Sequence, residues 1–273
     1  MPSRFLKLIF ASLSDQEDAD GWLANEDQQK DPMSVARKPN KCEKNNVENN
    51  NRAAYNCKSP LHTIPGFGNI THRRTYRKGA VIFSEGQTAR GVHVVCSGRV
   101  KLSITSAEGR KQIVRLARPG DLLGLSAGLT GSLYEATAEA LAPCVLEFVT
   151  RKDLLSLLEQ QQSGGLSVAV AVSKELAEFV EYARILLLSD SATEKLGRLL
   201  LGLGDQFGER TSGGIKVQTM LTHEEMAQMI GTSRETVTRS LNTLKRKQLI
   251  SGNGEVVIRN RPALLLLAQG SSA

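Results

Sequence analysis

Short apolar runs separated by turn residues occupy the middle of the chain, residues 76–150. The runs are Val81-Ile82-Phe83 and residues 92–95, 100–104 and 112–116, and glycine-containing turn signals lie at 84–86, 97–98, 108–109 and 119–121. Short strands at even spacing predict an all-β barrel or sandwich. A parallel α/β sheet is disfavoured because no amphipathic helix lies between the runs.

A helical period follows the β region, within residues 166–188. Apolar residues there recur at alternating spacings of three and four, which is typical of a heptad seam. We expect a dimer seam formed by Val172, Leu176, Phe179, Ala183 and Leu186, with Ala169 in the same phase. The alternative is a helix that packs on its own barrel. A second helix is predicted at 191–203, followed by a loop at 204–214.

The segment 221–239 fits two helices joined by a tight turn. Thr222 can cap the first helix, and Glu225, three residues later, can complete a capping box. Ala227 is small where two helices must approach, and Gly231 lies where such a turn commonly requires a positive φ. Val237 would pack the second helix onto the first. The spacing therefore predicts a helix-turn-helix.

The second predicted helix has one apolar and one polar face. At about 100° per residue, Val237, Leu241 and Leu244 share a narrow arc, whereas Arg234 and Arg239 lie in a polar arc with Glu235, Thr238 and Asn242. Arginine suits guanine O6 and N7, and glutamate suits cytosine N4. The predicted DNA-binding residues are Thr222, Thr232, Ser233, Arg234, Glu235, Thr236, Thr238, Arg239 and Lys245.

Two alternatives apply to these charges. Glu235 could close a capping box with Thr232 while Arg234 is merely solvated, and the run Lys245-Arg246-Lys247 could be a solvated helix end rather than a phosphate contact. Downstream, residues 249–258 predict a two-strand hairpin around Gly252-Asn253-Gly254. Together with a strand at 215–217, that hairpin predicts a winged helix-turn-helix.

Composition and charge agree with a soluble protein that binds nucleic acid. The 273 residues are 40% hydrophobic and 23% charged with a net charge of +7, and residues 191–273 carry eleven basic and seven acidic side chains. No run approaches the roughly 18 apolar residues needed to span a bilayer, so we expect a cytoplasmic protein without a membrane partner. The expected domains are a disordered polar leader at 1–60, a β-roll at 61–160, a central helix at 161–190 and a DNA-binding domain at 191–273.

The cysteines and histidines show no ligand spacing. Cys42, Cys57, Cys96 and Cys144 lie far apart, which argues against a zinc site and, in a cytosolic chain, against disulfides. His62, His72, His93 and His223 are equally scattered, so we predict no metal. An enzyme on a cupin-like barrel would need converging histidines and carboxylates, and we therefore expect no enzyme.

The segments 221–225 and 231–239 resemble the DNA-binding motif of the CRP/FNR superfamily, and 98–102 and 119–124 resemble its β-roll. The resemblance covers residues 62–262. It implies an α+β fold: an N-terminal β-roll of the cyclic-nucleotide-binding type (a double-stranded β-helix or jelly roll), a long dimerisation helix and a C-terminal winged helix-turn-helix. It also implies a homodimer on a twofold-symmetric operator with TGTGA-like half-sites, RNA polymerase as a partner, and a small-molecule effector. Ser240 stands where an aliphatic residue is usual, so we expect Leu241 and Leu244 to carry that packing alone.

The effector region departs from the cyclic-AMP-binding members. Those members place a glutamate and then an Arg-Ser pair after the position of Gly120, where this chain has Leu125 and Glu135-Ala136. A carboxylate would repel the cyclic phosphate, so we expect that cyclic AMP is not bound in the usual way. The candidate effector pocket comprises Gly120, Asp121, Leu123, Gly124, Leu125, Glu135, Ala136 and Thr137.

The oxygen-sensing branch of the family uses four cysteines for an iron–sulfur cluster. Cys144 stands near that branch's barrel cysteine, but the other three cysteines lack its close spacing, and we expect no cluster and no other cofactor. Two other functions stay open: a redox- or oxygen-responsive regulator that uses cysteines, and a ligand-binding module that does not depend on DNA.

Overall fold

The computed structural model describes residues 57–217, 221–252 and 255–270. The predicted leader lies outside the described residues up to position 56, as do Cys42 and the turn residues Asn253 and Gly254. Residues 57–60, which we assigned to the leader, belong to the fold, because Cys57 and Ser59 are buried and Pro60 begins a 3₁₀ turn. The predicted leader is therefore too long at its C-terminal end.

Two four-stranded antiparallel sheets form the β-roll, in the orders β1-β8-β3-β6 and β2-β7-β4-β5. Two 3₁₀ turns, Pro60–Thr63 and Phe67–Asn69, precede them. The strands are β1 His72–Tyr76, β2 Val81–Phe83, β3 Gly91–Ser97, β4 Val100–Thr105, β5 Lys111–Ala117, β6 Leu122–Leu123, β7 Thr137–Ala140 and β8 Cys144–Thr150. The four predicted strands correspond to β2–β5.

Strand β3 is buried on both faces, and this explains its continuous apolar run. Val95 points into the barrel interior, whereas Val92, Val94 and Cys96 belong to a cluster between the sheet and the helices that cover it. Strand β1 was missed because its residues are polar and mostly exposed, so it carries no alternating pattern.

Seven α-helices are described: α1 Leu125–Thr130, α2 Arg151–Gln160, α3 Gly164–Leu187, α4 Ala192–Phe207, α5 His223–Ile230, α6 Arg234–Arg246 and α7 Arg261–Ala268. The predicted long helix is α3. The predicted loop at 204–214 is wrong, because α4 continues to Phe207 and a hairpin follows, β9 Gly208–Thr211 and β10 Gly214–Val217. Gly204 lies inside α4, where glycine allows close packing, because a Cβ there would lie 2.9 Å from Ile258 Cδ1.

The predicted wing is confirmed, within a larger sheet than expected. Strands β11 Ile250–Ser251 and β12 Val256–Ile258 pair antiparallel, and the sheet order is β11-β12-β10-β9. Its buried side chains join α4–α7 in one hydrophobic core. Of the helices described, none is long and apolar enough to cross a membrane.

Candidate nucleic-acid interface

Gly231 fixes the turn between α5 and α6. Its φ is +67°, in the left-handed region, and its N–H donates to the carbonyl of Ala227. A Cβ at this position would meet nothing closer than 3.8 Å, so the backbone conformation rather than space requires glycine. Ala227 is buried where the helices meet. The helix-turn-helix is arranged as the sequence predicted.

Both helices of the motif have side-chain caps. The Thr222 hydroxyl accepts from the N–H of Glu225 at 3.1 Å, and a Glu225 carboxylate oxygen accepts from the N–H of Thr222 at 2.9 Å, which confirms the predicted capping box. At α6 the cap is Ser233, which accepts from the N–H of Thr236 at 3.2 Å. The alternative in which Thr232 caps this helix is therefore wrong.

The apolar face of α6 anchors it to the domain. Val237 and Leu244 are fully buried and Leu241 nearly so. Ser240 is also buried, and its hydroxyl accepts from the Thr193 hydroxyl on α4 at 3.0 Å. The expectation that two leucines alone replace the usual aliphatic residue is wrong, because a buried hydroxyl pair joins the contact.

The opposite face of α6 presents charge to the outside along its N-terminal half. Arg234, Glu235 and Arg239 are exposed, and Arg239 Nη2 donates to the Thr236 hydroxyl at 3.1 Å. The backbone N–H of Glu235 and then Ser233 lower the pKa of the Glu235 carboxyl, so it is ionised at neutral pH. Two cations and one anion thus stand on the N-terminal half of α6, the part of such a helix that usually enters a groove.

The other predicted DNA-binding residues lie in two separate groups. The first group lies beside Arg234 and Arg239 and consists of Thr232, Ser233, Thr236 and Thr238. The N-terminus of α5, which carries Thr222, adjoins this group, since His223 Nδ1 lies 3.0 Å from the Thr238 hydroxyl. Lys245 lies six residues beyond Arg239 on α6, about 9 Å along the axis. It is half-buried and stands apart from the N-terminal group.

The barrel contacts the helix-turn-helix through residues that the sequence reasoning missed. Lys101 Nζ on β4 lies 2.9 Å from Glu225 Oε1 and 3.0 Å from Glu139 Oε1. Gln112 Nε2 on β5 donates to the Met229 carbonyl at 3.3 Å and to the Tyr182 hydroxyl at 2.7 Å. Since Lys101 and Glu225 are 124 residues apart, no local pattern relates them.

Comparison with known proteins identifies the family. The Cyclic nucleotide-binding domain family matches residues 73–161, and the Crp-like helix-turn-helix domain family matches residues 194–267. The nitrogen fixation regulation protein FixK of Azorhizobium caulinodans is 30% identical over 192 residues, which are 69% of this chain and 76% of that protein. The chain belongs to the CRP/FNR family of transcription regulators.

Other CRP/FNR proteins agree with this assignment. The cyclic AMP receptor protein of Thermus thermophilus is 30% identical over 199 residues, which are 72% of this chain and 88% of that protein. A solved CRP/FNR-family regulator from the same organism is 26% identical with a TM-score of 0.59, covering 74% of this chain and 100% of its own. FixK2 from Bradyrhizobium japonicum, at 24% identity, shares the fold with a TM-score of 0.64, covering 72% and 97%. The predicted family and fold are confirmed.

The candidate effector residues of this CRP/FNR chain do not all face one cavity. Leu123 and Ala136 lie in the barrel interior, where Tyr134 stacks on Phe83 with ring centroids 3.9 Å apart. Leu125 packs in the other cluster, outside the barrel.

The remaining candidates lie around the barrel. Glu135 is exposed, and the Thr137 hydroxyl accepts from the Glu85 N–H at 3.0 Å. Asp121 is buried and accepts from Lys174 Nζ on α3 at 2.6 Å. Gly120 and Gly124 both have positive φ, as glycine at a turn permits. The eight residues are thus divided between the interior, the surface and the contact with α3.

The cysteines contradict one expectation. Cys57 and Cys96 form a disulfide, so the sequence argument against disulfides is wrong. Because the two cysteines are 39 positions apart, no local pattern in the sequence shows that β3 passes beside Cys57. Cys144 is buried and free, and burial raises the pKa of its thiol. Of the cysteines described, Cys144 lies in the barrel interior and the other two outside it, so these three do not converge as a cluster would require.

One histidine and one carboxylate do converge with a cysteine. Potential ligand atoms of Cys57, His62 and Glu147 all lie within 4.8 Å of one another. The argument that the histidines and carboxylates of this chain do not meet therefore fails at this place. The sequence carried no signal for it, because Glu147 lies 85 residues beyond His62.

Proposed function

We propose that this chain is a dimeric, sequence-specific transcription regulator that places α6 of each protomer in the major groove. One observation carries the proposal: α6 is fixed by a buried apolar face and presents Arg234, Glu235 and Arg239 outward. Arginines pair with guanine edges and glutamate with cytosine, as TGTGA-like half-sites of a twofold-symmetric operator would require. The lysine and arginine at the C-terminal end of α6 would contact phosphates.

The second protomer is proposed to pack along α3. Val172, Leu176 and Phe179 are exposed large apolar side chains, and Ala183 and Leu186 continue the stripe with partial exposure. Ala171 and Tyr182, about 90° around α3 from this stripe, are buried against their own chain, so α3 packs on the barrel through a neighbouring face. A second copy of α3 would remove the exposed stripe from water.

The remaining partners follow from the proposed role. A regulator bound at an operator acts on transcription through RNA polymerase, and we infer that enzyme as a partner and the cytoplasm as the location. The effector is a small molecule of unidentified structure. Cyclic AMP bound in the usual way is not our candidate. The stacked rings of Tyr134 and Phe83 occupy the barrel interior, and the negative charge of Glu135 would repel the cyclic phosphate.

The experiment measures fluorescence anisotropy with a duplex that carries two inverted TGTGA half-sites, in the presence of excess random DNA. Arg239→Ala should weaken binding about 10- to 100-fold on this duplex and should lose discrimination against a scrambled one. Arg77→Ala removes the same charge from an exposed barrel turn and should leave discrimination intact. Equal affinity of the unsubstituted chain for both duplexes would contradict the proposal.

A further inference from the structure

A cluster of metal-binding side chains lies on the outer face of the β1-β8-β3-β6 sheet. Cys96 is on β3 and Glu147 on β8, and Glu147 pairs with Val94, so all three side chains share one face. Cys57 and His62 come from the segment that crosses this face before β1. The fold therefore brings together two cysteine sulfurs, one imidazole and one carboxylate from three separate segments.

The carboxylate holds the imidazole in place. His62 Nε2 lies 2.9 Å from Glu147 Oε2, and His62 Nδ1 lies 2.8 Å from the Ser59 hydroxyl. Arg73 Nε donates to the other Glu147 oxygen at 3.0 Å. Cys57 and Glu147 are buried, whereas the His62 side chain is 23% exposed and leaves a path from solvent. With Nε2 and Glu147 facing the ion, Ser59 on the other ring nitrogen would be a second partner of the kind typical of metal-binding histidines.

Thiolate, imidazole and carboxylate are the usual ligands of zinc, with bonds of about 2.0–2.3 Å. Ligand atoms of one tetrahedral ion are then about 3.5 Å apart, and those of Cys57, His62 and Glu147 already lie within 4.8 Å of one another. Cys96 is not part of this group, and its sulfur would reach the ion as the fourth ligand only after the bond to Cys57 opens. Within the disulfide, however, neither sulfur is a thiolate.

We propose that Cys57, Cys96, His62 and Glu147 form a redox-controlled zinc site, in which the disulfide is the metal-free, oxidised form. A dithiol supplies two electrons and two protons, breaks the sulfur–sulfur bond and gives two thiols. Zinc then binds both sulfurs as thiolates and displaces the two protons. In the reverse step, hydrogen peroxide and two protons take two electrons from the bound thiolates, which yields the disulfide, free zinc and two waters.

The site adjoins the helix that carries the proposed dimer seam. Leu61 and Ile64, in the same segment as His62, are buried, and the Thr63 hydroxyl lies 2.9 Å from the Ser167 hydroxyl in the first turn of α3. The two states of the site therefore differ next to the start of α3. This inference goes beyond the proposed DNA binding and does not depend on it.

The test uses the full chain, reduced with a phosphine and freed of metal under nitrogen. Cobalt(II) is the spectroscopic probe, and we expect one ion per chain with a thiolate-to-cobalt charge-transfer band that zinc removes. Hydrogen peroxide should abolish the band, release the metal to a chromophoric chelator and give a Cys57–Cys96 linked peptide in mass spectrometry. A reduced chain without this band, or a band that peroxide leaves unchanged, would overturn the proposal.

Single substitutions test which side chains bind the metal. Cys57→Ser, Cys96→Ser and His62→Gln should each weaken cobalt binding more than about tenfold. Cys144→Ala and His72→Gln are matched controls outside the cluster and should bind as the unsubstituted chain does. Because His62 is partly exposed, His62→Gln should fold even where a cysteine variant does not, as circular dichroism would show. Undiminished binding by folded His62→Gln would exclude the histidine and contradict the site as proposed.

Discussion

The ammonium of Lys101 on β4 and the carboxylate of Glu225 at the start of α5 are 2.9 Å apart. Glu225 uses its other oxygen to accept from the N–H of Thr222 and so caps the first helix of the DNA-binding motif. One carboxylate therefore closes the cap and also binds the barrel. Any change in the barrel that moves β4 would act directly on the beginning of this helix.

The Lys101–Glu225 contact should contribute to the free energy of unfolding. Burial opposes ionisation of Glu225, but the Thr222 N–H and Lys101 outweigh it and hold the carboxyl pKa below its ordinary value of 4.5. A lowered carboxyl pKa stabilises the fold above the unfolded pKa, and this stabilisation is lost as pH falls through the folded pKa. We expect Lys101→Met to lower the free energy of unfolding by about 1–3 kcal/mol at neutral pH in urea titrations, with a smaller effect below pH 4.5.

A matched control separates this pair from a general charge effect. Lys78→Met removes an exposed lysine from the turn after β1 and should change stability by no more than about 0.5 kcal/mol. Equal losses in the two variants at neutral pH would contradict a specific role for Lys101.

The stripe on α3 predicts the oligomeric state. Leu176→Glu combined with Phe179→Glu places two charges on side chains that are 62% and 59% exposed in the single chain, so folding should tolerate them. In a dimer the same charges would be buried without partners, and sedimentation velocity should show monomers. Leu265→Glu with Leu266→Glu, on exposed positions of α7, should remain dimeric. If the α3 pair leaves the assembly unchanged, the seam assignment is wrong.

The residues at the positions that bind the cyclic phosphate in other members predict the response to cyclic AMP. Isothermal titration calorimetry of this chain should show no saturable binding in the micromolar range, because Glu135 carries the wrong charge and no arginine of the usual pair is present. The cyclic AMP receptor protein of Thermus thermophilus serves as the positive control. Micromolar binding by this chain would show that another set of residues holds the nucleotide.

The sequence predicted those parts of the fold that depend on local pattern. The capping box of Thr222 and Glu225, the turn at Gly231 and the buried face of α6 are all encoded within one or two helical turns. Contacts between distant segments had no such signal: the disulfide joins residues 39 apart, and Lys101 meets Glu225 across 124. The predicted loop beginning at Gly204 was wrong because glycine occurs both in loops and where a helix packs closely, as α4 does here beside Ile258.

His93 predicts a second dependence of stability on pH, at higher pH than that of Glu225. Burial and then Arg74 lower the pKa of this histidine from 6.5 to about 4, and its ring lies between Phe83 and Phe148. Because the unfolded chain takes up a proton near pH 6.5 and the folded chain only near pH 4, stability should fall as pH drops across this window. The loss should reach at most about 3 kcal/mol. His93→Phe should flatten the urea-measured profile in this window, whereas His72→Gln, at an exposed position, should keep it. A profile in His93→Phe as steep as that of the unsubstituted chain would show that other groups cause the loss.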